Sequence, residues 1–216
     1  EATNTYGNVN LVFNNAGVAA GNSAGKAVWE TPDEDWHWVM GVNFYGVLYG
    51  VQTFIPHMLE HGEESYIVNT ASLAAVMPMG GSYGVSKHGV LALTEGVQSD
   101  LEQRGANIHA GVLCPGFVDT QIFNAERNRP GVEQTQADTE NPQYRAAKAM
   151  LANGKSPAEI ADYVFTAMAN KQFYMLPHPA WDEFVGSRTT QILARQGVAT
   201  MDLMAMLERS GQGEQF

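Results

Sequence analysis

Tyr83-Gly84-Val85-Ser86-Lys87, preceded eleven residues earlier by Ser72, is the most informative run in the chain. On a helix, a tyrosine and a lysine four apart point from one face, one turn apart. Tyrosine is normally a poor base, with a pKa of ~10, but a lysine cation a few Å away favours tyrosinate and lowers that value. Ser72 closes the apolar run Tyr66-Ile67-Val68-Asn69-Thr70 and adds a hydroxyl that can hold a carbonyl or alcohol oxygen. Taken alone, Tyr-x-x-x-Lys is matched by any helix bearing one aromatic and one solvated lysine. Its weight comes from the segments around it.

Working outward, Asn14-Asn15-Ala16-Gly17 follows the strand-like Val9-Asn10-Leu11-Val12-Phe13, and Asn43 sits inside a helical stretch. Cys114-Pro115-Gly116-Phe117-Val118-Asp119-Thr120 follows another strand. In this order and spacing the set resembles the short-chain dehydrogenase/reductase family, from about Asn10 to about Thr120 and more weakly to about Pro177. The fold this implies is α/β: the C-terminal part of a Rossmann-like doubly wound parallel sheet, about four strands with flanking helices. The family opens with a strand, a Thr-Gly-x-x-x-Gly-x-Gly turn and a helix, then two more strands before the Asn-Asn-Ala-Gly segment. No such turn precedes Asn14 here, so an N-terminally truncated member is expected.

At 216 residues the chain is long enough to bury a core, and residues 1–216 read as a single, partial domain. A hydrophobic fraction of 44% suits a compact α/β protein. The net charge of -11 argues against nucleic acid or anionic membrane as partner, since both need clustered Lys and Arg. It leaves a phosphorylated cofactor open, because a few backbone N–H groups suffice for one. Cys114 stands alone, so no intrachain disulfide forms, which fits a cytoplasmic location. It reads as a small buried residue at a strand end. No apolar run approaches the ~20 residues of a membrane span.

The pattern predicts strands over Asn8 to Phe13, Tyr66 to Thr70, Asn107 to Leu113 and Phe173 to Leu176. A helix is expected from Asp33 to about Glu60, with Thr31 as its N-cap, and another from about Tyr83 to Gln103, closed by Gly105. Residues 121–155 are expected to form a mobile substrate loop carrying a short helix near Tyr144 to Leu151. Ser156-Pro157-Ala158-Glu159 is a capping box opening a further helix. Helices near Asp182 to Arg195 and Met201 to Arg209 finish the chain. Strands alternating with helices imply a parallel sheet with right-handed crossovers.

Four other constellations compete. Gly80-Gly81-Ser82-Tyr83-Gly84 satisfies the nucleophile-elbow pattern of α/β-hydrolases, with Asp119 and His178 in triad order. The residues before Ser82 form a loop rather than a strand, however, so Ser82 reads as a helix N-cap. Gly21-Asn22-Ser23-Ala24-Gly25-Lys26-Ala27 imitates a P-loop but has Ala27 where the metal-binding hydroxyl belongs. His57 and His61, four apart, have zinc-like spacing without a third ligand of fixed geometry. Met201, Leu203, Met204, Met206 and Leu207 form an apolar stripe that suits core or subunit contact. Asn43 either ties its own helix to a neighbouring loop or serves a proton relay.

The resemblance implies an oxidoreductase moving hydride between NAD or NADP and a small apolar secondary alcohol or carbonyl compound. It gives Tyr83 the role of acid–base, Ser72 that of holding the reacting oxygen, Lys87 that of gripping the nicotinamide ribose, and Asn43 that of the relay. Asn14, Ala16, Gly17, Tyr83 and Lys87 would line the ribose side of the cofactor. Pro115, Gly116, Val118 and Thr120 would line the nicotinamide. Met77, Met79, Phe117, Ile122 and Phe123 suggest an apolar pocket. No metal is implied. A homodimer or homotetramer built on the two long helices is expected. The competing expectation, from the missing glycine-rich turn, is a catalytically silent relative.

Overall fold

The computed structural model describes residues 2–20, 26–131 and 142–198. Its centre is a four-stranded parallel sheet: β1 (Leu11–Asn14), β2 (Ser65–Thr70), β3 (Ile108–Leu113) and β4 (Tyr174–Met175), side by side in chain order. β1 and β2 pair with Val12 beside Ile67, and β2 and β3 with Val68 beside Gly111. Because side chains alternate along a strand, each strand feeds both faces of the sheet. The α/β class and all four predicted strands are present, three of them shorter than the pattern suggested.

Around the sheet run α1 (Ala2–Tyr6), α2 (Asp33–Met40), α3 (Gly46–His61), α4 (Gly81–Gln103), α5 (Pro142–Ala152), α6 (Pro157–Ala169) and α7 (Asp182–Ala194). One face packs Ile67, Ala110 and Val112 against Val47, Val51 and Met58 of α3 and Val90 and Leu101 of α4. The other packs Val68, Leu113 and Met175 against Ile160, Val164 and Met168 of α6. The chain therefore changes face between its second and third crossovers while the strands continue in one direction. The third crossover must have the opposite hand to the first two, so the expectation of uniform right-handed winding fails there. The cause is the long excursion after β3, in which the described residues 114–131 and 142–155 intervene before α6 begins.

Three local expectations change as well. The single helix read over Asp33 to Glu60 is interrupted by a π-helical turn, Gly41–Tyr45, that centres on Asn43. Pro32, not Thr31, is the N-cap of α2, and its carbonyl accepts the Asp35 and Trp36 amides. Gly80, not Ser82, caps α4, because Gly81 starts the helix at φ +69, a conformation glycine tolerates without strain. The Ser156 capping box is as read, with Ser156 Oγ accepting from the Glu159 amide and the Glu159 carboxylate accepting from the Ser156 amide. The P-loop-like residues 21–25 and the stripe from Met201 to Leu207 lie outside the described residues. No described helix is long and apolar enough to cross a membrane.

A polar seam runs through this apolar stack. Asn14 Nδ2 donates to Asn69 Oδ1 at 2.8 Å, Asn69 Nδ2 to Thr94 Oγ1 at 3.0 Å, and Thr94 Oγ1 to the Val90 carbonyl at 2.7 Å. Each buried polar group in it is thereby partnered, as burial requires. Asn14 lies against α3 where Gly50 has no side chain. A Cβ there would sit 2.1 Å from Asn14 Oδ1. Gly50→Ala should therefore cost about 1–3 kcal/mol of stability, by overpacking and by breaking the Asn14–Asn69 bond. In an Asn14→Ala background the same substitution should cost much less, and a denaturation double-mutant cycle with no coupling would contradict this.

Candidate active site

Parallel strands end on one edge, so the segments that follow them are brought together whatever their sequence separation. Asn14 to Gly17 follow β1, Ser72 follows β2, Pro115 to Thr120 follow β3 and His178 follows β4. Tyr83 and Lys87 reach the same edge from the first turns of α4, which begins after the loop from β2. Segments distant in sequence thus converge here, and they include nearly all the expected site residues.

Lys87 is deeply buried. It is 2% exposed, and its Nζ donates to the Thr70 carbonyl at 2.9 Å. Nζ lies 5.7 Å from the centre of the Tyr83 ring and 3.5 Å from where a Cβ on Gly17 would stand. A glycine at 17 keeps the side of the ammonium facing the turn after β1 clear. Burial lowers the Lys87 pKa to about 8, a shift that the neighbouring Cys114 thiol opposes. Cys114 itself is buried at the end of β3, and burial pushes its thiol up to about 12. It is an inert filler, as read from the sequence.

Tyr83 behaves differently from the expectation. Burial around its hydroxyl pushes the phenol above its ordinary value, and the hydrogen bond with Ser72 works against that rise without reversing it. The Lys87 cation does not overturn the desolvation, so here the phenol favours its protonated form. Ser72 Oγ also accepts the Ala74 amide at 3.1 Å and lies 3.5 Å from the Pro115 carbonyl, which fixes its direction. The first turn of α4 is pressed onto the preceding loop. A Cβ on Gly84 would lie 2.1 Å from the Met79 carbonyl oxygen, so no larger residue fits at position 84.

Asn43 is fully buried, and its side chain serves as a tie. Its Oδ1 accepts the Val18 amide at 2.8 Å, while Nδ2 donates to the Val18 carbonyl at 3.0 Å and to Ser86 Oγ at 3.1 Å. Ser86 Oγ in turn donates to the Tyr83 carbonyl at 2.7 Å. The amide thus joins the turn after β1, the π-turn and α4. Asn14 likewise faces the interior seam, while Ala16, Gly17 and Thr120 are exposed at the edge. Sequence reasoning missed Ser86, Thr70 and Val18. The only signal for Ser86 was a small polar residue one turn from Tyr83; its bond to Asn43, 43 residues away, is legible only in three dimensions.

The rival constellations come apart. His178 Nδ1 accepts the Gly116 amide at 3.1 Å and Nε2 bonds the Phe117 carbonyl at 3.1 Å, so neither ring nitrogen serves Ser82. His57 Nε2 accepts the Val9 amide and His61 Nε2 bonds the Val9 carbonyl, which ties the start of β1 to the end of α3. No group of three or more metal-ligating side chains occurs among the described residues. On the apolar side, Met77, Leu73, Met150 and Trp181 cluster with Phe117, Phe184 and Val185. Ile122 and Phe123 are half-buried, and Met79 is exposed.

A family model described as short chain dehydrogenase matches residues 1–131. The chain is 33% identical over 204 residues to a CLA biosynthesis dehydrogenase/reductase of Lactiplantibacillus plantarum, which covers 89% of this chain and 69% of that protein. It is 29% identical over 206 residues to a C alpha-dehydrogenase of Sphingobium sp., covering 94% of this chain and 63% of that protein. A 1-deoxy-11-beta-hydroxypentalenate dehydrogenase of Streptomyces avermitilis is 32% identical over 174 residues, covering 78% of this chain and 56% of that protein. The chain thus spans roughly half to two thirds of these relatives' length. Among solved structures, a short chain dehydrogenase/reductase of Burkholderia phymatum in complex with NAD superposes with a TM-score of 0.85 at 38% identity. That match covers 93% of this chain and 72% of the other.

The buried ammonium makes a pH prediction. Unfolded, Lys87 keeps its proton up to its ordinary value of 10.5, whereas folded it releases it near 8. Between those values the unfolded chain binds more protons, so stability should rise with pH across that window. Denaturant titrations at about pH 7.5 and 9.5 should show a larger gain for wild type than for Lys87→Met. Equal gains would show that the ammonium is not held below its ordinary value.

Proposed function

The chain belongs to the short chain dehydrogenase family, and we propose that it moves hydride between a nicotinamide dinucleotide, NAD or NADP, and a secondary alcohol or carbonyl compound. The observation that carries this reading is the convergence of Ser72, Tyr83 and the buried Lys87 at the carboxyl edge of the parallel sheet. A buried lysine beside a tyrosine and a serine has little structural use, because burying its charge is costly.

The residues present suit the dinucleotide. The Lys87 ammonium carries three donors and spends one on Thr70, which leaves donors for ribose hydroxyls over Gly17. Next to it, Phe117 and Asp119 pair with Lys155 in strand-like fashion, through Lys155 N–H to the Phe117 carbonyl and Asp119 N–H to the Lys155 carbonyl. Alternate residues of such a pair point the other way, so the Val118 amide is turned from Lys155 towards the crevice. With the exposed Thr120 hydroxyl it makes a frame for a carboxamide, and Pro115 and Gly116 form the floor. Ala16 and Gly17 line the ribose side together with the backbone of Asn14, whose side-chain amide is turned inward to Asn69. The NAD complex of the Burkholderia phymatum relative speaks for the same cofactor class.

When bound, the dinucleotide supplies the hydride donor or acceptor. Tyr83 gives its proton to the carbonyl oxygen in the reductive direction and takes one from the alcohol in the other. Burial favours the protonated phenol, which is the form a carbonyl needs. Ser72 holds the reacting oxygen beside that phenol. Asn43 has its side-chain amide engaged on both ends, so a proton relay through this residue runs by way of its main-chain carbonyl. The π-turn suits that role, since an extra residue in a helix leaves a carbonyl without its helical partner, and such turns gather at functional sites.

The substrate is small and apolar, met by Met77, Phe117 and the Trp181 cluster, with residues 121–155 as the substrate segment. Tyr45 and Tyr49 on the π-turn and α3, together with Val85 on α4, are exposed, and they suit a homodimer or homotetramer face in the cytoplasm. Light scattering on the intact protein is expected to give a dimer or tetramer, and a clean monomer would count against that face. Tyr83→Phe should cut turnover by at least ~10²-fold, by removing the proton donor while keeping the ring. Dinucleotide affinity should change little. Near-normal turnover in that variant would overturn the assignment.

A further inference from the structure

We propose that His178 is a positioning residue for the nicotinamide: it fixes the backbone of Gly116 and Phe117 so that the Val118 amide meets the carboxamide. The inference rests on the function proposed above. His178 lies in the segment after β4 and is 2% exposed, yet it touches no reacting group. Instead its two ring nitrogens hold two consecutive residues of the loop after β3. An amide N–H can only donate, so the 3.1 Å contact from Gly116 makes Nδ1 the acceptor. Nε2 then carries the proton and donates to the Phe117 carbonyl at 3.1 Å. One neutral tautomer satisfies both bonds.

The packing around the ring is as particular as the bonding. A Cβ on Gly116 would lie 3.2 Å from the ring, so glycine lets the imidazole stand directly against the backbone. The Phe117 carbonyl takes its second bond from the Lys155 amide at 3.2 Å, and the Asp119 amide gives one to the Lys155 carbonyl at 2.9 Å. Gly154 fits beneath, where a Cβ would lie 2.4 Å from the Phe117 oxygen. The loop is therefore clamped from two sides by segments distant in sequence, with Lys155 38 and His178 61 residues from Phe117. Gly116 N–H, Phe117 C=O and Asp119 N–H are all engaged, and the strand-like pairing turns the Val118 amide between them away from Lys155. Burial lowers the imidazole's pKa, which favours the neutral form that the two bonds require. The Lys155 charge helps, while the bond to Phe117 and the Glu159 charge act against it.

A residue that holds only this frame should affect ligands only through the nicotinamide. The test is calorimetric titration of the intact protein with the dinucleotide that the wild type takes and with ADP-ribose, which lacks the nicotinamide ring. His178→Phe keeps a ring and loses both hydrogen bonds. It should weaken dinucleotide binding by about 10-fold, the value of one to two net hydrogen bonds, and leave ADP-ribose binding unchanged. His178→Asn retains an acceptor in place of Nδ1, and His178→Gln retains a donor in place of Nε2. Each should recover part of the loss, and this pair decides the matter if the Phe variant does not fold. Equal loss of both ligands, or no loss of either, would overturn the proposal. Failure of the wild type to bind any nicotinamide dinucleotide would instead remove the proposed function, and this inference with it.

Discussion

A lysine ammonium held in the interior beneath the carboxyl edge of the sheet sets the terms for everything around it. Removing that charge from water is costly, and the lowered Lys87 pKa records the cost. The Thr70 carbonyl offsets part of it directly. Thr70 is held in turn through its hydroxyl, which donates to Asn15 Oδ1 at 2.8 Å, so the acceptor for the ammonium is tied to the turn after β1. Gly17, Gly84 and the Asn43–Ser86 tie then follow as accommodations. Two keep side-chain bulk away from the ammonium and its helix turn, and the third locks the helix that carries it. A site built this way is rigid before any ligand arrives, which suits a reaction that depends on geometry.

The reversed third crossover gives the other half of the site its character. Had the chain wound on as before, α6 would have joined α3 and α4 on one face, leaving the second face bare. The excursion after β3 lets α6 cover that face. On the way it packs Ala125 against Val18 and Val39, and seats Arg129 on Asp35 and Glu126 with its guanidinium 5.0 Å from the Trp38 ring. The same path returns Gly154 and Lys155 beneath Phe117 and leads through β4 to His178. The covering of the second face and the clamping of the Pro115–Thr120 loop are thus two results of one detour. β1, by contrast, stays at the sheet's edge with Leu11 and Phe13 partly exposed and the Phe13 ring on Phe165 of α6.

The sequence by itself determined the class of fold and singled out Ser72, Tyr83 and Lys87 as candidates for chemistry. Apolar runs of strand length, the capping box at Ser156 and the Tyr83–Lys87 spacing are local patterns, and local patterns survive without knowledge of neighbours. The resemblance those motifs carry led to the family that the comparisons support. Only the tertiary structure decided what each polar residue does. Asn14 and Asn43 turn their amides inward to partners 55 and 25 residues away, so their side chains are ties rather than free ligand groups. His178 reads as a triad histidine by chain order, but its partners are 62 and 61 residues distant and belong to a backbone loop. The sign of the Tyr83 shift was beyond reach for the same reason: a spacing announces a nearby cation, but desolvation depends on how much protein closes over the hydroxyl. Spacing along a helix is fixed by covalent geometry and can be read from a string of letters. Burial and the pairing of distant polar groups exist only once the chain has closed on itself.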